Sequence, residues 1–123
     1  MGVILTLETP EELKRFIEDS DRQPILLFKH STRCPVSAAA LRHLKDFSSS
    51  GEAAGLAFGI IHVIESRSLS DLVANQFGIL HQSPQLLLIY KRRVLWHDSF
   101  AGISNKRIAA AVKQFLMPLN ASI

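Results

Sequence analysis

The sequence predicts an α/β fold, a three-layer sandwich in which a mixed sheet of about five strands lies between four helices. Three observations predict it. Apolar runs of strand length alternate with segments of helical spacing, in the order β-α-β-α-β-α-β-β-α. Alternation of this kind gives parallel strands joined by crossover helices that cover both faces of a sheet. The last two runs are separated only by a short polar stretch, Lys91 to Arg93, which reads as a hairpin and adds an antiparallel edge.

Val3 to Leu7 is a short apolar run that ends at Thr9-Pro10. Thr9 can cap a helix with Pro10 in its first position and Glu12 at the third, and Leu13, Phe16 and Ile17 give that helix an apolar stripe. Pro24 to Phe28 is apolar without interruption, the pattern of a central strand buried on both faces. His30 to Pro35 forms a loop, and Val36, Ala40, Leu44 and Phe47 then fall at helical spacing. Ala57 to Ile64 is a second buried strand, followed by a helix from about Ser68 to Phe77. Gln85 to Tyr90 and Val94 to Phe100 form the hairpin, and Ser104 caps a last helix over Ile108 to Leu116, which Pro118 is expected to stop.

A length of 123 residues suits a single domain spanning the whole chain. Hydrophobic residues at 47% and charged residues at 20% are globular values and exclude a disordered chain. The net charge of +3 is dispersed along the chain, so no nucleic-acid partner is expected. The longest apolar stretches, Leu56–Ile64 and Leu86–Tyr90, are far short of the ~18 residues that cross a membrane, so no membrane partner is expected either. The first residues lack the basic and apolar regions of a secretory signal. One cysteine excludes an intramolecular disulfide and a zinc site built on cysteine pairs, and His62 and His97 are too scattered to suggest another metal site. Together these point to the reducing cytoplasm.

The chemistry centres on Cys34. It follows a buried strand and opens a helix with Pro35 in its first turn. Unpaired N–H groups and the helix dipole favour an anion there, so a thiolate is expected in preference to a thiol with its ordinary pKa of about 8.5. Arg33 is adjacent, and Lys29 and His30 end the incoming strand, which adds positive field. A stabilised thiolate is both nucleophile and leaving group in thiol–disulfide exchange. Ser37 stands where a C-x-x-C dithiol would carry its second sulfur. Its hydroxyl can hydrogen-bond the Cys34 thiolate or bond only backbone, and the sequence leaves both open.

The string F-K-H-S-T-R-C-P-V-S on a strand, loop and helix, followed by S-P-Q-L-L-L-I-Y and F-A-G-I-S, resembles the thioredoxin-like superfamily, and within it the YtxJ family of monothiol bacilliredoxins. The resemblance spans essentially the whole chain. It implies that Cys34 is the redox-active cysteine and that Pro84 is a cis-proline opening the Gln85–Tyr90 strand and facing the active site. The Ser83 backbone would then pair with substrate in strand fashion beside Cys34. Gly102 matches a small residue that keeps the rim of such sites open. The implied reaction removes bacillithiol from S-bacillithiolated client proteins, with bacillithiol as co-substrate, no bound cofactor, and a second low-molecular-weight thiol or partner protein to regenerate Cys34. Lys29 and Arg33 would hold the acidic groups of the small thiol.

Three departures narrow the resemblance. Phe28 stands six positions before Cys34, where thioredoxins carry a buried acid, so proton transfer to a second thiol is unsupported. Pro35 replaces the glycine of cluster-bridging monothiol glutaredoxins, and Thr32 is only two residues before Cys34, unlike the T-x-x-C of peroxiredoxins. Two other functions compete: a binding or adaptor domain with an unreactive Cys34, and a thiol-dependent hydrolase or transferase. The hydrolase needs a histidine base within reach of the sulfur; His43 lies on the opposite face of the helix, leaving His30 or His81. His81 can face the same cleft or serve as an ordinary surface or core residue.

Overall fold

The uninterrupted apolar run at Ile25 becomes the middle strand of the sheet. The computed structural model describes residues 3–121, and its strands are β1 (Ile4–Thr6), β2 (Ile25–His30), β3 (Ala57–His62), β4 (Gln85–Tyr90) and β5 (Arg93–Ser99). They form a five-stranded sheet in the order β1-β3-β2-β4-β5. β1 and β2 run parallel to β3, while β2–β4 and β4–β5 are antiparallel. The four helices are α1 (Pro10–Asp19), α2 (Pro35–Ser48), α3 (Arg67–Phe77) and α4 (Asn105–Ala121). Mixed sheet, helix count and order all agree with the expectation from sequence.

Residue alternation along β2 and β4 sorts the core into two layers. Leu26, Phe28, Leu86 and Leu88 face α2 and α4, where Leu44, Phe47, Ile108 and Val112 pack on them. Ile25, Leu27, Leu87 and Ile89 face α1 and α3 and meet Phe16, Ile17, Leu69 and Val73. Every residue of β2 is buried. Gly59 in β3 has a local cause: a Cβ there would lie 2.7 Å from the Phe16 ring, so α1 approaches β3 only over a glycine.

Local signals account for most boundaries. α1 begins with a capping box, in which Glu12 N–H donates to Thr9 Oγ1 at 3.1 Å and Thr9 N–H donates to the Glu12 carboxylate at 3.0 Å. α3 ends at Gly78, whose φ of 65° is left-handed. The hairpin turn at Lys91 and Arg92 also takes positive φ, 52° and 62°, without glycine or asparagine. Neighbouring contacts hold it: Lys91 N–H donates to the Ser20 carbonyl at 2.7 Å, and the Arg92 guanidinium pairs with Asp21 at 2.9 Å.

Several boundaries differ from the sequence reading. β2 continues beyond Phe28 to His30, carrying two polar residues into the sheet. The last strand stops at Ser99, and Phe100–Gly102 is a 3-10 turn. α4 starts at Asn105 and continues through Pro118 to Ala121. Proline has a helical φ, so the helix can continue through it at the cost of the hydrogen bond its nitrogen cannot donate and of its ring crowding the carbonyl four residues back.

Gly59→Ala is expected to force the Phe16 ring aside and to lower unfolding stability by about 1–3 kcal/mol, read as a lower urea midpoint at unchanged slope.

Candidate functional site

β2 delivers the site to one end of the sheet. After His30 the chain turns through Ser31, Thr32 and Arg33, and Cys34 becomes the N-cap of α2 with extended backbone angles of −113° and 118°. Pro35 takes the first helical position. The Cys34 N–H donates to the Ser31 carbonyl at 3.2 Å, and its carbonyl accepts from Ala38 N–H at 3.0 Å. The side chain makes no capping hydrogen bond, and the residue is half-buried with a free thiol. Arg33 beside it is exposed and joins no ion pair among the described residues.

The Ser37 hydroxyl is engaged away from the sulfur. It accepts the Ser31 N–H at 3.0 Å and lies 2.7 Å from His30 Nδ1. An N–H can only donate, so the serine proton is free to go to Nδ1, with His30 as its Nε2–H tautomer. Strand end, loop and first helical turn are thus stitched together around Cys34 by one buried serine. That replaces both readings open in the sequence, a bond to the thiolate or to backbone alone. The His30 ring stacks on Phe28 with centroids 5.6 Å apart and meets His62 edge-on at 5.7 Å. Burial, with His62 and Lys45 nearby, lowers its pKa below the ordinary 6.5, so the ring is neutral at pH 7.

Lys29 points to the other side of the sheet. Adjacent strand residues face opposite ways, so with His30 towards α2, Lys29 must run beneath α3. It is fully buried, its Nζ donating to the Ser70 carbonyl at 3.0 Å and lying 3.3 Å from His81 Nδ1. Ser70 Oγ is 3.0 Å from the same ring nitrogen. Burial brings Lys29 down to about 8, with Asp71 partly offsetting it. Burial, Lys29 and Arg67 likewise push His81 down. Lys29 therefore does not face a small thiol at Cys34, and the role expected of it beside Arg33 is corrected. His81 belongs to this cluster, which the sequence reading missed.

The Ser83–Pro84 peptide is cis and precedes Gln85, which lies opposite Lys29 in the antiparallel register. The start of β4 therefore sits beside the end of β2, at the Cys34 end of the sheet. The Pro84 carbonyl accepts the Phe100 N–H at 3.1 Å, and the Ser83 hydroxyl is buried with no partner among the described residues. Exposed Phe100, with a left-handed φ of 55°, stands next to Pro84, and exposed Val36 lies two residues after Cys34. Neither was singled out from sequence, because an exposed aromatic and a buried one look alike in an apolar run. Gly102 closes the turn after β5. The space its Cβ would fill is taken by the Asp98 carboxylate, itself bonded to Ser99 N–H at 2.8 Å and to Arg107 at 2.9 Å. His43 accepts the Asn105 N–H at 3.1 Å and so helps cap α4.

A family model described as monothiol bacilliredoxin BrxC matches residues 5–108. The chain belongs to the monothiol bacilliredoxin family. Among solved structures it is similar to a protein provisionally described as an oxidoreductase with a thioredoxin fold, at 25% identity over 89% of this chain and 93% of that one, with a TM-score of 0.79. Thioredoxin from Trypanosoma brucei brucei superposes with a TM-score of 0.77 at 10% identity, covering 94% of this chain and 93% of that one. Malassezia sympodialis thioredoxin gives 0.76 at 13%, covering 94% and 92%. This bacilliredoxin therefore has the thioredoxin fold and is a thiol-disulfide oxidoreductase. Among the described residues no helix is long and apolar enough to cross a membrane, and no group of three potential metal ligands occurs.

His30 and His81 both titrate below the ordinary histidine value in the folded chain, so the unfolded chain binds more protons near that value. Their stabilising contribution is complete above about pH 6.5 and is lost as pH falls through their folded values. The thermal midpoint should drop between pH 7 and pH 5, and combining His30→Gln with His81→Asn should flatten that drop. Ser37→Ala should cost about 1–3 kcal/mol by leaving the Ser31 N–H and His30 Nδ1 without their partner, measured by urea unfolding.

Proposed function

We propose that this bacilliredoxin removes bacillithiol from S-bacillithiolated client proteins in the cytoplasm, with Cys34 as sole nucleophile. The observation that carries this reading is a half-buried cysteine at the start of α2 whose side chain is not consumed in capping, in a chain with no second sulfur from cysteine.

The reaction balances without an outside oxidant. The Cys34 thiolate attacks the bacillithiol sulfur of the mixed disulfide. A Cys34–bacillithiol disulfide forms, the client–bacillithiol bond breaks, and the client thiolate leaves and takes a proton from water. A second bacillithiol thiolate then attacks the adduct, releasing oxidised bacillithiol and restoring Cys34. Electrons for the next cycle come from that small thiol. Arg33, exposed beside the sulfur, supplies charge to the carboxylates of bacillithiol. The Ser83 backbone pairs with the extended segment of the client around its modified cysteine. Exposed Val36 and Phe100 give that segment an apolar footing on either side.

Intact-mass measurement after exposure to oxidised bacillithiol, beside oxidised glutathione, tests the reading. A single adduct should form on the wild-type chain, faster from bacillithiol, and none on Cys34→Ala. Equal rates from both disulfides would overturn the choice of bacillithiol, and no adduct from either would favour an adaptor with an inert cysteine. Arg33→Gln should slow adduct formation about two- to fivefold and weaken its salt dependence, the size expected of an exposed charge pair.

A further inference from the structure

Two buried side chains hold the segment between α3 and β4, and neither belongs to the Cys34 layer. Lys29 reaches the His81 ring at 3.3 Å, and Gln85 Nε2 donates to the Leu80 carbonyl at 3.1 Å. Lys29 and Gln85 are opposite one another in the β2–β4 register and are 0% and 1% exposed. The segment they grip, residues 79–84, ends in Ser83 and Pro84. Its far end is tied by the Phe100 N–H to the Pro84 carbonyl. The Ser83 hydroxyl and the Gln85 amide oxygen are buried without partners among the described residues, so they add no grip of their own.

A buried ammonium is costly unless its donors are used. Packing alone would be served by methionine, which has a similar length and no charge to desolvate. The lysine is instead spent on two acceptors, one on α3 and one on the 79–84 segment. Because Lys29 lies at the end of β2 and the chain turns from that end through Ser31–Arg33 into Cys34, this contact indexes the position of Ser83 to that of the sulfur.

We propose that Lys29 is a positioning residue for disulfide exchange: acting through His81, it holds the 79–84 segment where Ser83 can pair with the disulfide-bearing partner of Cys34. This rests on the function proposed above. The contact requires His81 Nδ1 to accept, and so requires a neutral ring. The charged groups facing the pair are Arg67 and Asp71 of α3, while the Ser70 carbonyl and hydroxyl contribute neutral dipoles. Arg67 opposes and Asp71 favours protonation of the ring. When pH falls far enough to protonate it, two cations meet, Nδ1 no longer accepts, and the grip on the segment is released.

The test uses the full chain and a bacillithiol–peptide mixed disulfide, with iodoacetamide alkylation of Cys34 as a reaction that needs no docking. Lys29→Met and His81→Leu should each lower kcat/KM for exchange about tenfold, chiefly by raising KM, while the alkylation rate stays within twofold of wild type. His81→Asn keeps an acceptor near the Nδ1 position and should restore exchange. The ratio of its exchange rate to its alkylation rate, both of which follow the Cys34 thiolate, should also lose the wild-type fall below pH 6.5. If Lys29→Met does not fold, the His81 pair decides alone. Wild-type exchange kinetics and pH profile in His81→Leu would overturn the proposal and leave the reading of Cys34 intact. A wild-type chain that alkylates but exchanges with no disulfide would overturn that reading first, and this one with it.

Discussion

Burial of β2 on both faces is the constraint from which the site follows. A strand flanked by β3 and β4 and covered on both faces could end at its last hydrophobic residue, but β2 runs on through Lys29 and His30 with both still buried. Neither side chain can reach bulk water, so each must be satisfied inside the protein. The pleat decides where: His30 turns to the α2 side and binds Ser37, and Lys29 turns to the α3 side and binds the Ser70 carbonyl and His81. Two consecutive polar residues thereby fasten both helical layers to the same strand end, just before the turn through Ser31–Arg33 that leads into Cys34. Lys29 and His30, five and four residues before Cys34, thus fix the strand end from which the chain turns to the sulfur.

Helix start and strand end then divide the chemistry. α2 offers its unpaired N–H groups to whatever charge develops on Cys34, and Cys34 leaves its side chain out of the cap. The histidine nearest in sequence is neutral, stacked and committed to Ser37, so it is a structural member of the layer rather than a base poised at the sulfur. That arrangement counts against hydrolase chemistry, which needs an imidazole free to take the nucleophile's proton. His81 is no better placed, since its Nδ1 already faces Lys29 and Ser70.

Much of this was legible beforehand, and the rest was hidden for identifiable reasons. Continuous apolar runs at Ile25 and Leu86 announced central strands, and Thr9-Pro10 with Glu12 announced a capped helix, because these signals are local. Cys34 before Pro35 marked the nucleophile for the same reason. The side to which Lys29 points is harder to read, because the apolar run that marks the strand ends at Phe28 while the pleat continues to His30. Ser70, His81 and Gln85 come together from α3, the following segment and β4, a juxtaposition that no spacing in the chain encodes. Ser37 was noticed for its place relative to Cys34, yet its partners are a backbone N–H six residues back and a ring seven back.

The replacement of a buried acid by Phe28 fits the same logic. In a dithiol enzyme a second sulfur inside the helix must be deprotonated while shielded from water, which calls for a proton acceptor beneath it. Here the corresponding position of α2 carries Ser37, whose hydroxyl never ionises in the cycle, and beneath it lies a His30–Phe28 stack. An ionisable acid in that layer would be desolvated with no chemistry to do. An aromatic ring instead supports the imidazole that holds Ser37, and Ser37 holds the loop. The one-cysteine chemistry of the family is therefore matched by the packing under the helix as much as by the single sulfur: the layer holds the loop through Ser37 and carries no acid beneath the helix start.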